Sequence, residues 1–195
     1  SLSTAGVPWN DVYPVYGIWT DGERALEVTH SDGNLSTCLK VESVSTRQEP
    51  SAKVTVIRMK DTAYPFYVNV CYRAYEDVDM IETWTEIENR EKKPVKLTRF
   101  DSGSIPIRYG NVWLTHLAGS ANNEGRLIQE PLERGMLVLR NKDGVRNTHT
   151  DHPEVMFSLD GKPLEHTGQV IGAALCYSGN YELRVHTHQG SYHEF

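Results

Sequence analysis

Short apolar runs, each closed by Gly, Pro, Asp or Asn, limit what this chain can fold into. Between residues 113 and 181 such runs cover residues 136–139, 155–159 and 170–177. Strands separated by tight turns produce this pattern. No window here holds the apolar i, i+3, i+4, i+7 repeat of a surface helix. The chain is therefore predicted to be all-β.

Residues 80–88 alternate in the manner of a strand with one packed and one solvated face. The packed face is predicted to carry Ile81, Thr83, Thr85 and Ile87, and the opposite, acidic face Glu82, Trp84, Glu86 and Glu88. Paired carboxylates can act as general acid and base when burial separates their pKa values. Because basic residues lie nearby, a solvated face with cross-strand ion pairs is favoured here.

The remaining segments extend this pattern over the whole chain. Residues 90–93 are predicted to form a hairpin turn between strands, and residues 46–51 a polar loop. About fourteen strand candidates at short spacing indicate two large antiparallel sheets packed face to face. We see no internal repeat and no domain boundary, so residues 1–195 are predicted to form a single domain.

Charge and hydropathy exclude two classes of partner. The formal net charge is −6, whereas a protein that binds nucleic acid needs a basic surface. No stretch approaches the ~20 apolar residues of a membrane span, so no membrane partner is expected. No apolar leader is visible, which predicts a cytoplasmic location, or a periplasmic or secreted one if a signal peptide was removed.

The cysteines and histidines suggest no further chemistry. Cys38, Cys71 and Cys176 are predicted to be buried free thiols, with a single disulfide as the alternative. The pairs His149-x-x-His152 and His186-x-His188 have spacings that could hold a metal. Zinc sites usually recruit three or four ligands, so we predict structural roles, no metal and no cofactor. Ser178-Gly179-Asn180 lacks the Gly-x-Ser-x-Gly pattern of a nucleophile elbow and is predicted to be a turn with a structural or interface role.

An ordered set of motifs runs through most of the chain. It comprises Tyr13-Pro14-x-Tyr16-Gly17, Ala25-Leu26-Glu27-Val28-x-x-x-Asp32-Gly33, Leu117-Ala118-Gly119-Ser120, Glu124, Glu130-Pro131-Leu132-x-x-Gly135, Gly144-x-x-x-x-His149-x-x-x-Pro153-x-x-x-Phe157-x-Leu159, Glu165-x-x-Gly168-x-Val170-x-Gly172 and Tyr177-Ser178-Gly179-Asn180-Tyr181. This set resembles the N-terminal domain of family 36 glycoside hydrolases, the α-galactosidases.

The resemblance implies a fold and a context. The fold is a β-supersandwich, similar to that of galactose mutarotases, placed ahead of a (β/α)8 barrel. In that family the barrel carries two catalytic Asp residues and hydrolyses α-galactosides with retention, in keeping with the chemistry of retaining glycosidases. No barrel-like alternation of strands and helices occurs here. We therefore expect a non-catalytic part of a longer hydrolase, which packs on its own barrel and supports a homo-oligomer.

One loop is the candidate contact with an α-galactoside. In the family a Gly-Asp-Phe-Arg-x-Pro-Ala run follows the first tyrosines, and here the stretch is Trp19-Thr20-Asp21-Gly22-Glu23-Arg24-Ala25. The residue order differs and the Pro is missing, which puts sugar contact in doubt. An aromatic ring that stacks on a sugar and charged groups that bind its hydroxyls predict Tyr16, Trp19, Asp21 and Arg24 as contacts. The alternative is an exposed hairpin turn at Asp21-Gly22.

Two other functions remain open from the sequence. The chain could be a free-standing sugar-binding or mutarotase-like sandwich, which needs a His and a carboxylate that converge on an open concave face. It could also be a pure oligomerisation module. Neither leaves a motif of its own in the sequence.

Overall fold

The computed structural model describes residues 13–15, 23–107, 110–146, 149–188 and 193–195. They contain fourteen strands, whose pairings are all antiparallel. In this described part of the chain, no helix is long and apolar enough to cross a membrane. The chain divides into two compact units, Ser1–Ser104 and Ile105–Phe195, called unit 1 and unit 2 below.

Unit 1 consists of a four-stranded sheet and a two-stranded ribbon. Its strands are β1 (Leu26–Thr29), β2 (Leu39–Glu49), β3 (Ala52–Asp61), β4 (Phe66–Tyr75), β5 (Ile81–Asn89) and β6 (Lys96–Phe100). The sheet has the order β2-β3-β4-β5, and the ribbon pairs β1 with β6. Phe66, Val68 and Val70 alternate along β4 and pack with Leu26 and Val28 of β1 in one buried cluster.

Unit 2 is a sandwich of two four-stranded sheets. Its strands are β7 (Pro106–Ile107), β8 (Trp113–Ala118), β9 (Arg126–Pro131), β10 (Gly135–Asn141), β11 (Asp151–Ser158), β12 (Val170–Ala174), β13 (Tyr181–Thr187) and β14 (His193–Glu194). The sheets have the orders β12-β11-β8-β9 and β10-β13-β14-β7. Leu114 and Phe157 of the first sheet are buried in one cluster with Leu139 and Val185 of the second.

Three local predictions are corrected. Residues 46–49 are not loop, since β2 continues to Glu49 and pairs with β3 over its whole length. It is polar because it is an edge strand whose side chains are almost all exposed. Residues 90–93 do not close a hairpin, because β6 pairs with β1 instead of β5. Ile81, predicted to be packed, is exposed at the first position of β5.

The cysteines also differ from the prediction. All three are free, but only Cys71 is buried, while Cys38 is half-buried and Cys176 exposed. Cys71 lies within β4, on the face opposite to Val68 and Val70, where it is paired with Trp84 of β5. Cys38 immediately precedes β2, and Cys176 follows the end of β12. The apolar run at residues 170–177 therefore overestimated the strand, which ends at Ala174. Beyond it, the Leu175 amide donates to the Pro153 carbonyl and the Tyr177 amide to the Leu175 carbonyl.

Candidate functional site

The predicted sugar-contacting loop is described only at its two flanks. Tyr16, Trp19 and Asp21 lie outside the described residues, and Arg24 lies within them. The Arg24 guanidinium donates from Nη1 to Glu27 Oε1 over 3.4 Å, and its side chain is 42% exposed. This long, half-exposed ion pair leaves the side chain accessible to solvent. Sugar contact by the four residues stays a prediction.

Both flanks of this loop are fixed to the ribbon of unit 1. Val15 bridges Leu26, and the Pro14 carbonyl accepts from the Ala25 and Leu26 amides. On the other side, Arg99 of β6 donates to Glu23 Oε2 over 2.6 Å and to Asp101 Oδ2 over 3.2 Å. Charge-assisted bonds of this length are the stronger kind. The described residues on both sides of this loop are therefore held by these contacts.

Tyr13 adds a further anchor beside these flanks. Its hydroxyl donates to the Asp101 carbonyl over 2.7 Å, and its ring is buried in the core of unit 1. Burial, assisted by the nearby Asp101 carboxylate, raises the pKa of Tyr13 far above its ordinary value. The phenol is thus a neutral hydrogen-bond donor at any physiological pH, which suits an anchoring role.

A second candidate region lies at one end of unit 2, where the buried side chain of Asn141 joins two loops, β10–β11 and β12–β13. Its Nδ2 donates to the carbonyls of Gly144 and Gly179, over 2.6 and 2.9 Å. Its Oδ1 accepts from the Asp143 amide and the Thr150 hydroxyl, over 3.0 and 3.1 Å. An amide side chain has two donors and two acceptor lone pairs, so all four are used.

The surrounding motif residues complete this cluster, called the Asn141 hub below. The Gly144 amide donates to Asn180 Oδ1 over 2.9 Å, and the Gly119 amide donates to the Thr150 carbonyl over 2.9 Å. Gly144 has φ +66°, a conformation that favours glycine. The motifs around Gly119, Gly144 and Asn180 are thus brought together, and their contacts are structural. This agrees with the turn predicted at Ser178-Gly179-Asn180.

The acidic face of β5 is paired with arginines, as predicted. Arg73 binds Glu82 over 2.5 Å, and Arg58 and Arg90 bind Glu88 over 3.0 and 2.6 Å. Hydrogen bonds from the arginines hold the pKa of Glu88 below its ordinary value. Those from Asn69 and Trp84 do the same for Glu86. A general acid needs the opposite shift, so this face has the properties of a solvated ion-pair network.

The mutarotase-like alternative requires a histidine and a carboxylate on an open concave face. His116 of β8 lies with its Nε2 3.3 Å from Glu130 Oε1 and its Nδ1 3.8 Å from Asp151 Oδ1. Glu130 lines a groove of about 370 Å³. His116 itself is only 5% exposed, so its imidazole does not reach the groove. This arrangement is that of a structural pair inside the sandwich.

The predicted histidine pairs do not assemble a metal centre. The His186 and His188 rings lie 3.9 Å apart, tilted by 42°, and His149 contacts Glu124 at the exposed end of unit 2. Within the described ranges, no three His, Cys, Asp or Glu residues are grouped so that they could hold a metal ion.

A comparison with protein families tests the family resemblance that the motifs suggested. The model of the glycosyl hydrolase family 36 N-terminal domain matches residues 6–193. The chain belongs to this family. Two α-galactosidases are similar in sequence, namely AgaA of Geobacillus stearothermophilus and Mel36A of Lactobacillus acidophilus. AgaA is 24% identical over 91% of this chain, which corresponds to 26% of AgaA. Mel36A is 25% identical over 74% of this chain and 19% of its own length.

Solved structures of the same enzyme class share the fold. AgaA of Geobacillus stearothermophilus in complex with stachyose superimposes with a TM-score of 0.86 at 23% identity, over 93% of this chain and 27% of AgaA. The α-galactosidase of Lactobacillus brevis gives 0.84 at 21% identity, over 94% of this chain and 26% of that enzyme. The predicted all-β supersandwich is thereby confirmed. The chain spans about a quarter of the length of these relatives.

Proposed function

We propose that this chain is the non-catalytic N-terminal domain of a longer retaining glycoside hydrolase of the α-galactosidase type. The observation that carries this proposal is the family match over residues 6–193, combined with relatives that extend far beyond the matched part. AgaA and Mel36A are named as α-galactosidases. Hydrolysis of an α-galactoside is therefore assigned to the whole protein, and the acid and nucleophile to a part outside this chain.

The chemistry of the described carboxylates supports a non-catalytic role. Retaining glycosidases need one carboxylic acid with a raised pKa and one carboxylate nucleophile about 5 Å away. In the acidic face of β5, Glu86 and Glu88 have lowered pKa values and charged or amide partners. The buried Glu91 likewise has a lowered pKa and contacts His30. These groups are suited to ion pairs and not to proton donation.

We assign three tasks to the domain. It packs on the catalytic barrel, it supports a homo-oligomer, and its loop at residues 16–24 helps to shape the galactoside pocket. The anchored flanks of that loop, at Val15 and Glu23, favour the third task, because a contact residue must be held in position to contribute to binding. The Arg24 side chain, which pairs with Glu27, is 42% exposed and carries the charge that sugar hydroxyls can bind.

Activity assays on two lengths of protein test the proposal. The gene that encodes this chain is expressed with all of its flanking coding sequence, and separately as residues 1–195, and both are assayed with an aryl α-galactoside. We expect hydrolysis by the longer protein only. Hydrolysis by residues 1–195 alone would disprove the non-catalytic role. A longer protein that does not hydrolyse the aryl α-galactoside but cleaves another glycoside would disprove the α-galactoside assignment.

A variant of the longer protein tests the pocket-shaping task. Arg24→Ala should raise KM several-fold with little change in kcat, because the lost contact binds the substrate in ground state and transition state alike. Arg47→Ala is the matched control, since Arg47 is also exposed and paired with a neighbouring glutamate on the same unit. Equal KM values for both variants and the parent enzyme would show that Arg24 does not contact the sugar.

A further inference from the structure

One face of unit 2 carries few charged side chains. It is the outer face of the sheet β12-β11-β8-β9. The inner face is identified by Leu114, Val155 and Phe157, which are fully buried in the core. Because strand residues alternate, Leu117, Met156 and the residues paired with them point the other way. We call this outer side the uncharged face.

Apolar side chains on the uncharged face are well exposed. Leu127 of β9 is 59% exposed, Met156 of β11 46% and Val170 of β12 53%. Cross-strand pairing aligns Leu117 with Leu127 and Met156 with Gly172. Between them lie neutral residues, of which Thr115 and Ser158 are buried. Two charged residues lie on this side, Glu154 of β11 and Lys162, whose ammonium is 5.8 Å from the centroid of the Trp113 ring. A Cβ built on Gly172 meets nothing within 4 Å, so the face is open there.

The contrast with the sheet of unit 1 shows that this composition is not a general property of the chain. There the outer face of β4 and β5 carries Arg73, which pairs with Glu82, and Glu88, which pairs with Arg58 of β3. That is how this protein builds a sheet face that remains in water. A sheet face that exposes several apolar side chains and carries few charges is typical of a surface that another folded element covers.

We infer that the uncharged face of unit 2 docks on the part of the longer chain that residues 1–195 do not include. This inference rests on the proposed function and specifies which surface takes part. Relatives are about four times as long as the aligned segment. The remainder of such a chain would be a large partner that is covalently attached to this domain. Tethering gives such a partner a high effective concentration. Permanent contacts of this kind are more apolar than transient ones.

The chemistry of the face defines its counterpart. The partner surface must be apolar and flat enough to lie on the small residues around Gly172. It needs a basic or hydrogen-bonding group opposite Glu154, whose Oε2 lies 3.9 Å from His152 Nδ1, and an acceptor opposite Lys162, because a charge buried without a partner is costly. The approach is face-on to the sheet, since β8 and β11 are interior strands whose backbone groups are already paired.

Methionine oxidation in the intact longer protein tests the docking. Met80, Met136 and Met156 are 51%, 41% and 46% exposed in this chain, so bare side chains should react with hydrogen peroxide at similar rates. Met80 and Met136 therefore serve as internal controls for Met156. If the uncharged face is covered, mass spectrometry of the peptides should show Met156 reacting about 10-fold or more slowly than both controls. A Met156 rate equal to that of either control would overturn the inference.

Dilution separates the attached partner from a second copy. Protection of Met156 that is unchanged over a 100-fold dilution supports an intramolecular contact, and protection lost on dilution assigns the face to a second copy and overturns the inference. The readout does not use hydrolysis, so it stands apart from the test of the proposed function.

Surface variants of the longer protein give a second test. Val170→Lys should lower its Tm by roughly 3 °C or more, while Val44→Lys, at a similarly exposed position on β2, should change it little. Equal Tm shifts for the two variants would count against docking through this face.

Discussion

At the scale of single residues, removal of the Asn141 side chain should strongly destabilise unit 2. Asn141→Ala leaves two carbonyls, an amide and a hydroxyl without their partner in a largely buried place. Each such group costs ~1–3 kcal/mol, and the penalties overlap, so we expect a loss of about 2–4 kcal/mol in the free energy of unfolding. Urea denaturation followed by circular dichroism measures it.

The matched control for this prediction lies in the same hub. Asn180 contributes one hydrogen bond to the Gly144 amide at an exposed position. Asn180→Ala should therefore cost roughly 1 kcal/mol or less, because water can replace the lost acceptor. If the two variants were equally stable, the Asn141 hub would not hold the two loops together.

The phenol of Tyr181 should lose its proton only at high pH. Its hydroxyl donates to the Asp151 carbonyl, and burial, followed by the Asp151 and Glu154 carboxylates, raises its pKa to about 12 from an ordinary value of 10. A pKa raised by folding gives stability that is complete below pH 10 and is lost as the pH rises through 12. Ultraviolet titration of phenolate should show a component near pH 12 that is missing in Tyr181→Phe. Its persistence in that variant would assign the component to another tyrosine.

Sequence reasoning found the motif residues but not the groups that connect them. Gly144, His149 and Asn180 stood out because glycines and ordered spacings are visible in a sequence. Asn141 did not, since an Asn before Lys142-Asp143-Gly144 looks like part of any exposed turn. One of its partners, Gly179, lies in a loop that is distant in sequence. Arg99 was missed for the same reason, because its partner Glu23 is far away in sequence.

At the scale of elements, Glu91 explains why the chain does not form the expected β5–β6 hairpin. Its side chain is almost fully buried and contacts His30 Nδ1 over 2.7 Å, while its other oxygen accepts from the Ser31 amide over 3.0 Å. The connection is thereby drawn to the end of β1, and β6 pairs with β1. A hydrophobicity pattern cannot reveal this, because Glu91 lies between Arg90 and Lys92 in a run that suggests solvent exposure.

Replacing Glu91 should loosen this connection. Glu91→Ala leaves the ring nitrogen and the amide unpaired, and we expect it to lower the free energy of unfolding by about 2–4 kcal/mol. Glu88→Ala, which removes an exposed carboxylate from the same segment, should have a much smaller effect. Urea titrations of both variants provide the comparison, and a larger effect from Glu88→Ala would contradict the anchoring role.

The Glu91 carboxylate should also make the free energy of unfolding depend on pH in the acid range. Burial raises the pKa of Glu91, but hydrogen bonds from His30 and Ser31 outweigh it and leave the pKa below its ordinary value of 4.5. A pKa lowered by folding gives stability that is present above pH 4.5 and is lost as the pH falls through the folded value. Unfolding curves between pH 3 and 6 should therefore be less pH-dependent in Glu91→Gln than in the parent chain. Identical slopes would exclude Glu91 as a source of acid sensitivity.

At the scale of the whole molecule, the strand content and the all-β fold class could be predicted from the sequence. Which strands pair with each other could be predicted only in part. Turn residues and alternation locate strands such as β4 and β11, because these signals are local. An edge strand like β2 lacks a buried face, so its polar sequence looks like a loop. The family relationship came from the order of motifs over most of the chain, which no single strand carries.

The three cysteines offer a test of the whole fold. Cys176 is exposed, Cys38 half-buried and Cys71 buried, and burial together with the Glu86 carboxylate raises the pKa of Cys71. Since the thiolate is the reactive form, a disulfide reagent at pH 8 should modify Cys176 quickly, Cys38 more slowly, and Cys71 only when unit 1 opens. The variant Cys176→Ser should lack the fast phase and keep the other two.

Urea gives a second test. Because Cys71 lies on β4 in the centre of its sheet, the rate of its modification should rise with urea in parallel with the loss of β-structure. Modification of Cys71 in native buffer at the rate of Cys176 would mean that the neighbouring side chains on its face of the sheet β2-β3-β4-β5 do not cover it.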